Sequence, residues 1–175
     1  MIIETRACTF KANGKASVLE SPITVSTPSL LQNKTDYKEI EINAIWDTGA
    51  TNSCISEKVV NALDSKPIRK VPVNGVHGQN VVNGYKVNFR LPNKLIVQDL
   101  DVTEAILGEY DALIGMDIIG IGDFAVSHSN GLTCFSFRFP SGNTHIDFVA
   151  EVEITNRPVH SSGGGSKRKN SRGRR

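Results

Sequence analysis

The residues whose types and spacing could do chemistry are Asp47, Thr48, Gly49 and Ala50, which follow directly on an apolar segment. A carboxylate at the end of a buried strand is partly withdrawn from water, which favours sharing a proton with a second carboxyl group nearby. Gly49 allows a tight turn and the close approach of another backbone, and Thr48 offers a hydroxyl group. Taken alone, Asp-Thr-Gly also fits an ordinary turn at a strand end, because Asp and Gly are common turn residues.

The element that must position Asp47 is the segment before it, Lys38–Trp46. Its residues alternate between apolar and polar, which predicts a half-buried strand because successive side chains of a strand point to opposite faces. One face would carry Ile40, Ile42, Ala44 and Trp46, and the other Glu39, Glu41 and Asn43.

A second motif lies in the apolar segment Ala112–Ile119, where Leu113, Ile114 and Gly115 read as a short strand and a glycine before a short helix. Between the two motifs, the strand-like stretches 71–76 and 81–91 flank a tip bracketed by glycines. This pattern predicts a mobile hairpin. Its tip is formed by Gly75, Val76, His77 and Gly78.

The order of Asp-Thr-Gly-Ala, a glycine-tipped hairpin and Leu-Ile-Gly before a short helix resembles the retropepsin-like aspartic proteases. It is most similar to the cellular and bacterial members that have an Ile-Gly-x-Asp ending. The resemblance implies an all-β fold, a closed antiparallel barrel with one or two short helices, which functions as a homodimer. It covers the predicted protease domain, residues 22–142.

The resemblance also implies an aspartic endopeptidase in which Asp47 is catalytic and two copies of it form a dyad that activates water. Thr48 would hydrogen-bond across the two-fold axis, Gly49 would contact the substrate backbone, and Ala50 would complete the turn. Leu113, Ile114 and Gly115 would be the scaffold of the second motif. An extended peptide would bind under the flap, and neither a cofactor nor a metal is implied. The flap residues would be Gly75, Val76, His77 and Gly78.

A dimer is needed because the chain has a single Asp-Thr/Ser-Gly motif. The retroviral pattern also has an Arg and an Asp that brace the dimer, and here those positions hold Met116 and Thr51, so the bracing must differ. A non-catalytic, dimeric peptide-binding or assembly module is the alternative, since fold does not decide function; the intact Asp47 argues against it.

Other side chains offer rival chemistry. Asp111, Asp117 and Asp123 are candidates for a second carboxylate in a monomeric site, although Asp117 more simply begins a helix, where a negative charge is favourable. Cys54 with His77 or His128 is a candidate thiol site, although a cysteine between apolar neighbours more often fills core space.

The remaining segments divide the chain. Asn13-Gly14 predicts a hairpin of Cys8–Lys11 with Ala16–Leu19, in an N-terminal extension of residues 1–21. Asn130-Gly131 predicts another hairpin.

Ser56 is expected to cap a helix over Glu57–Leu63. Residues 143–157 form a C-terminal extension, with a helix capped by Asp147 favoured over a strand, and residues 158–175 a disordered basic tail. Lys167–Arg175 would make weak anionic or nucleic-acid contacts.

Composition sets the wider frame. The chain has 175 residues and a formal net charge of +2, so its body has no strong preference for charged partners. Three cysteines without metal-ligand spacing are typical of reduced thiols. No apolar run reaches the roughly 20 residues of a membrane helix. We therefore expect a cytoplasmic protein without membrane contact.

Overall fold

The computed structural model describes residues 4–31, 35–75 and 78–156. The chain divides into two units, Met1–Gly142 and Asn143–Arg175. Two predicted features, the flap residues Val76 and His77 and the basic tail, lie outside the described residues. The strands are β1 (Arg6–Lys11), β2 (Glu20–Ser26), β3 (Glu39–Trp46), β4 (Cys54–Ile55), β5 (Arg69–Gly75), β6 (Gly78–Arg90), β7 (Ile96–Glu104), β8 (Ala112–Ile114), β9 (Asp123–Ser129) and β10 (Leu132–Phe139). The helices are α1 (Glu57–Leu63), α2 (Met116–Ile119) and α3 (Phe148–Thr155), with a 3₁₀ turn at Ser29–Leu31.

Six strands of the first unit close a barrel in the order β2-β3-β8-β4-β7-β6, and β6 pairs again with β2. β5 extends the sheet beyond β6, with which it forms an antiparallel hairpin. The prediction of an all-β, closed barrel is confirmed. It is not wholly antiparallel, because β3 pairs with β8, and β4 with β7, in parallel. Parallel partners need a long connection, and residues 47–111 supply it between β3 and β8.

β3 shows the predicted alternation. Ile42, Ala44 and Trp46 are buried in the core, whereas Glu39, Glu41 and Asn43 are exposed. The buried Trp46 indole donates a hydrogen bond to the Ser21 hydroxyl at 2.9 Å, so its one polar group is satisfied without water. The strand that leads to Asp47 is therefore held from its inner face.

A second sheet, in the order β1-β10-β9, contributes an aromatic cluster to the same core. Trp46 lies at its centre, with ring centroids 5.4 Å from Phe124 and 5.2 Å from Phe137. Phe10 stacks on Phe135 at 5.1 Å. Such aromatic pairs add roughly 0.5–1.5 kcal/mol each beyond their buried area. The end of β3 and the beginning of β9 are thereby fixed to one another.

The predicted N-terminal hairpin is wrong. Cys8–Lys11 is a strand, but it pairs with β10 and not with Ala16–Leu19, which is not a strand. Thr133 of β10 occupies the backbone groups that the hairpin would have used: it bonds Ala12 and Gly14 through its main chain and the Ala16 amide through its hydroxyl. β1 instead gains the stacking of Phe10 on β10, which the local turn pattern could not reveal.

The helices begin where the sequence predicts, but only one cap is as expected. The Asp147 carboxylate accepts hydrogen bonds from the first amides of α3 at 2.9 and 3.1 Å, the geometry of an N-cap. Ser56 precedes α1 without a side-chain cap, because its hydroxyl donates to Asp111 at 3.2 Å instead. None of the described helices has the length and apolar character that a membrane crossing requires.

β9 and β10 form the second predicted hairpin, and this prediction is confirmed. Asn130 and Gly131 have positive φ angles of 52° and 75°, which a two-residue turn of type I′ requires. At the other end of the hairpin, the Asp123 carboxylate forms an ion pair with Arg138 and accepts a hydrogen bond from the Gly142 amide at 2.8 Å. Asp123 thus ties the beginning of β9 to the end of β10.

The Asp123 clamp predicts a stability difference that depends on pH. The Gly142 amide and the Arg138 guanidinium hold the pKa of Asp123 below its ordinary value of 3.8. A carboxyl whose pKa is lower in the folded state stabilises the fold above the unfolded value, and this contribution is lost as the pH falls through the folded pKa. Asp123→Asn should therefore lower the urea midpoint near pH 7, and the difference from wild type should shrink toward about pH 2.

Glu41→Gln is the matched control, because Glu41 is exposed on β3 and has no ion pair among the described residues. Its urea midpoint should follow that of wild type at every pH. A difference for Asp123→Asn that stayed constant across the pH range would contradict the assigned role of the carboxylate charge.

Candidate active site

The Asp47 turn is held by its own backbone and by β8. The Asp47 amide donates to the Ile114 carbonyl at 3.0 Å, and the Ala50 amide donates to the Asp47 carbonyl at 3.3 Å. The Gly49 amide donates to Asp47 Oδ1 at 2.8 Å. Asp47 is half-buried, and its Oδ2 accepts no hydrogen bond from the part of the chain that the structure describes. One oxygen is therefore oriented by the turn, and the other is open to a reaction partner.

Thr48 and Gly49 complete the turn as exposed residues. The Thr48 hydroxyl bonds to none of the described residues, so it is available outside its own chain. A Cβ atom on Gly49 would lie 3.1 Å from Asp47 Oδ1, which is closer than ordinary packing. A glycine at this position leaves the carboxylate and its amide donor undisturbed.

The second motif lies directly beside the turn. β8 runs parallel to β3, and Ile114 is the register partner of Trp46, so Asp47 and Gly115 leave the sheet side by side. A Cβ atom on Gly115 would lie 2.7 Å from the backbone carbon of Asn52, a distance that no side chain tolerates. The missing side chain lets the Met116 amide donate to the Ala50 carbonyl at 2.8 Å.

Asp117 has a contact that the sequence analysis missed. Its two carboxylate oxygens accept from the Ser53 hydroxyl at 2.7 Å and from the Ser53 amide at 2.9 Å. The Ser53 hydroxyl is fully buried and accepts in turn from the Gly115 amide at 3.1 Å. Asp117 was expected only to begin a helix; in the structure it also ties that helix to the chain that follows the Asp47 turn. The signal that could have found it is its spacing, two residues after Gly115.

Met116 and Thr51, at the positions of the retroviral bracing pair, take part through their main chains. The Asp117 amide donates to the Thr51 carbonyl at 3.2 Å. The turn is therefore braced within one chain by backbone amides and by the Asp117 carboxylate, and not by an ion pair between these two positions.

The rival thiol site is not supported. Burial, together with the negative charges of Asp117 and Asp47, raises the pKa of Cys54 to about 11, so the nucleophilic thiolate is disfavoured. The His128 ring contacts the Thr133 hydroxyl at 3.0 Å, and His77 lies outside the described residues. Cys54 is better explained as a buried residue of β4.

Two other carboxylates proposed as rivals are occupied elsewhere. Asp111 accepts from the Lys58 ammonium at 2.6 Å as well as from the Ser56 hydroxyl. Asp123 is paired with Arg138 on the second sheet. Both oxygens of Asp111 therefore accept hydrogen bonds, and the charge of Asp123 is neutralised by Arg138. In the described ranges, no three His, Cys, Asp or Glu side chains are grouped to hold a metal ion.

The predicted flap corresponds to the β5–β6 hairpin, in which the backbones of Gly75 and Gly78 pair at the tip. Between this hairpin and the segment that follows β7 lies a groove of about 620 Å³. Ile106 is a fully exposed apolar residue at its edge. Other residues that line the groove are Glu57, Val73, Val81, Glu104 and Ala105.

Comparison with known proteins identifies the class of this site. Residues 37–118, just under half of the chain, match the family model of the spumavirus aspartic protease (A9). The matched segment begins before β3 and ends within α2, so it contains both motifs. The resemblance to retropepsin-like aspartic proteases, stated above from those motifs, is confirmed by this match.

Solved structures that match part of this chain include viral and bacterial proteases. A foamy viral protease–reverse transcriptase in complex with an RNA/DNA hybrid is 25% identical, with a TM-score of 0.42 over 59% of this chain; the match spans 12% of that protein. The simian foamy virus protease is 19% identical, with a TM-score of 0.39 over 57% of this chain and 92% of its own. A retropepsin-like aspartic protease from Rickettsia conorii is 12% identical, with a TM-score of 0.38, and the match covers 71% of this chain and 97% of that protein.

The Ser53–Asp117 bridge predicts a specific loss of stability. Ser53→Ala removes the hydroxyl that links Asp117 to the Gly115 amide and leaves the buried Gly115 amide without that partner, which costs about 1–3 kcal/mol of unfolding free energy. Urea titration would measure the loss. The control Ser127→Ala, at an exposed serine of β9, should stay within about 0.5 kcal/mol of wild type. An equal, small effect of both variants would contradict the bridge.

Proposed function

We propose that this chain is an aspartic endopeptidase, in which the Asp47 residues of two identical chains form one catalytic dyad. The observation that carries the proposal is the Asp47 turn: Oδ1 is held by the Gly49 amide, Oδ2 is open, and the adjacent Thr48 hydroxyl has no partner among the described residues. This arrangement supports the assignment of Asp47 as one half of a two-carboxylate site, which a second copy of the same turn would complete.

The chemistry follows from the charges. Two carboxylates a few ångströms apart cannot both ionise, so they share one proton. The ionised Asp47 takes a proton from a bound water, and the oxygen of that water attacks the scissile carbonyl carbon. The protonated Asp47 donates its proton to the carbonyl oxygen. Collapse of the resulting diol then breaks the C–N bond. The leaving amine takes up the proton of one carboxyl group, and the other carboxylate receives the proton of a diol hydroxyl, which restores the dyad with one shared proton.

The neighbouring elements support binding of an extended peptide. The β5–β6 hairpin presents backbone to one side of the groove, and the exposed Ile106 supplies an apolar contact. An extended chain bound beside a strand gains main-chain hydrogen bonds, with alternate side chains directed into pockets. The substrate class we propose is therefore a peptide or an unfolded protein segment.

Replacing Asp47 with Asn should abolish cleavage. A neutral amide has the shape of the carboxylate but cannot take a proton from water, and general acid–base groups contribute roughly 10²–10⁴-fold to a rate. The assay is cleavage of a mixed peptide library at mildly acidic pH, analysed by mass spectrometry. Asp101→Asn, at an exposed carboxylate of β7, is the control and should cleave as wild type does.

The wild-type rate should also show a bell-shaped dependence on pH with an acidic centre, because a dyad that shares one proton titrates as a unit. Equal cleavage by Asp47→Asn and wild type would refute the catalytic assignment. A barrel that only binds peptides would leave the library uncut in every variant.

Mixing subunits tests whether the dyad spans two chains. If wild-type and Asp47→Asn subunits exchange freely and are mixed equally at constant total concentration, about one quarter of the dimers contain two Asp47 residues. Cleavage should then fall to about one quarter of the all-wild-type rate, whereas independently active monomers would retain about half. The Asp101→Asn subunit, mixed in the same way, should leave the rate unchanged.

Two further assignments complete the proposal. Cys8, Cys54 and Cys134 carry free thiols, which supports a reducing compartment such as the cytoplasm. Contact of the tail Lys167–Arg175 with anionic partners or nucleic acid stays a prediction. Salt-sensitive binding to a single-stranded oligonucleotide, lost on truncation after Arg157, would establish it.

A further inference from the structure

Another pocket lies apart from the groove beside the β5–β6 hairpin. Its volume is about 420 Å³, within the range of roughly 300–1,000 Å³ that is usual for ligand pockets. It is lined by the chain between β2 and β3, by the end of α1 with the residues after it, and by Lys86 of β6. Lys38, which also lines it, directly precedes β3, and Asp47 directly follows that strand. About 30 Å of strand therefore separate this pocket from the Asp47 turn.

Hydrogen bonds fix the wall that the chain between β2 and β3 contributes. The Thr27 amide donates to the Lys38 carbonyl at 3.0 Å, and the Lys38 amide donates to the Thr27 hydroxyl at 3.3 Å. The buried Asn88 side chain donates to the Thr27 carbonyl at 2.7 Å. The Asp99 carboxylate accepts from the Ser29 amide at 3.0 Å. The backbone of this wall is thus set before any ligand binds, which lowers the entropic cost of binding.

Part of the pocket surface is apolar. Pro28, Leu31, Leu63 and Ile68 all line it. Leu63, the last residue of α1, is buried, whereas Ile68 is 55% exposed. An apolar side chain in the pocket would remove some of this surface from water, which is favourable in proportion to the area buried. The pocket therefore suits a ligand with an apolar group.

Two of the three lysines that line the pocket compete for one carboxylate. The Lys38 ammonium lies 3.6 Å from Asp64 Oδ2, and the Lys66 ammonium lies 3.3 Å from Asp64 Oδ1. A single negative charge neutralises only one of two positive charges. This side of the pocket therefore keeps a positive charge.

The third lysine, Lys86, shares its carboxylate in the same way. Its ammonium lies 3.1 Å from Asp101, which the Arg69 guanidinium also contacts at 3.5 Å. The Lys86 ammonium also donates to the Asp99 carbonyl at 2.9 Å. Asp36 is the remaining carboxylate that lines the pocket. The cluster thus holds four cationic side chains and three carboxylates, and its excess positive charge favours a ligand that brings one carboxylate.

We propose that this basic pocket is an exosite, a place where a protein substrate is bound away from its scissile bond. It binds a substrate segment in which an apolar side chain stands next to an Asp or Glu. The inference rests on the proposed function and adds a substrate class to it. Because an extended residue spans at most about 3.3–3.6 Å, the segment lies at least about nine residues from the scissile bond.

Fluorescence anisotropy tests the binding. The probes are two labelled Gly-Ser peptides with an amidated C-terminus, one carrying Leu-Glu-Leu at its centre and the other Ser-Glu-Ser. The protein is Asp47→Asn, so that cleavage does not consume the probe. Leu-Glu-Leu should bind roughly tenfold more tightly, because burial of a leucine side chain is favourable. A contact made by charge alone, such as one with the basic tail, would hold both probes alike.

Lys66→Glu, made in the Asp47→Asn protein, tests the charge of the pocket. Lys66 is the most exposed of the three lysines, with 84% of its side chain accessible, so the replacement should not disturb the fold. Repulsion in place of attraction should weaken binding of the Leu-Glu-Leu probe roughly tenfold. Lys15→Glu, at an exposed lysine outside the pocket, is the matched control and should bind both probes as the parent protein does.

Ile68→Ser tests the apolar part and gives a second variant should Lys66→Glu fail to fold. It should remove the preference for Leu-Glu-Leu over Ser-Glu-Ser, because the leucine then gains little apolar contact. Ile96→Ser is its control, since Ile96 is a similarly exposed isoleucine of β7 that does not line the pocket. It should keep the preference.

Cleavage kinetics connect the pocket with catalysis. A substrate with a scissile sequence found in the peptide library is compared with two that also carry Leu-Glu-Leu, about ten residues before or after that sequence. In wild type, one of the two should show a KM lower by roughly tenfold at unchanged kcat, because binding far from the scissile bond is equal in the ground and transition states. A linker of about three residues should remove the advantage, and so should Lys66→Glu.

The outcomes separate the exosite from the catalytic proposal. Equal binding of both probes, or tight Leu-Glu-Leu binding by Lys66→Glu and Ile68→Ser, overturns the exosite and leaves the proposed function standing. A KM that ignores the added segment does the same. A library that wild type leaves uncut refutes the proposed function and with it the role in cleavage, while the probes still decide whether the pocket binds the segment.

Discussion

The close approach of two strand ends is the constraint on which the site depends. β3 and β8 run in parallel and release their chains at the same end of the sheet. Because Gly115 has no side chain, the chain after Asp47 contacts the beginning of α2 directly. Backbone amides and the Asp117 carboxylate then hold both segments. Any side chain at position 115 would have to push the turn away and move the carboxylate with it.

A turn held in this way fixes the orientation of the Asp47 carboxylate but satisfies only one of its two oxygens within the described residues. One oxygen is oriented by an amide of its own chain, and the other has no partner within the described residues. Rigidity matters because a shared proton requires two carboxylates at a defined separation. In the proposed dyad, one chain would supply the orientation of the carboxylate, and symmetry would supply the second charge.

The aromatic cluster connects this chemistry to the second sheet. Trp46 fixes the end of β3 from its inner face and also stacks on Phe124 at the beginning of β9. Displacement of β9 would therefore move the Trp46 side chain, which directly precedes Asp47. Since cores transmit strain through tight packing, the position of β9 and the order of the Asp47 turn are coupled.

The parts of the fold that could be predicted are those with a local cause. The alternation in β3, the beginning of α1 and the Asn130-Gly131 turn each follow from backbone geometry over a few residues. Asn13-Gly14 has the same turn signal but does not form a hairpin, because β1 gains more by stacking Phe10 on Phe135 of β10. A turn signal predicts that the chain reverses direction, but it does not predict which strand pairs with β1.

The amino-acid sequence by itself indicated the Asp47 turn and the class of fold, because these follow from short motifs and their order; the catalytic role of Asp47 and the need for a second copy stay predictions. Only the tertiary structure decided which groups brace the turn. Ser53 and Asp117 are 64 residues apart, and their contact exists because parallel pairing of β3 and β8 brings them together. Contacts of that kind depend on how distant segments pack, which no local periodicity encodes.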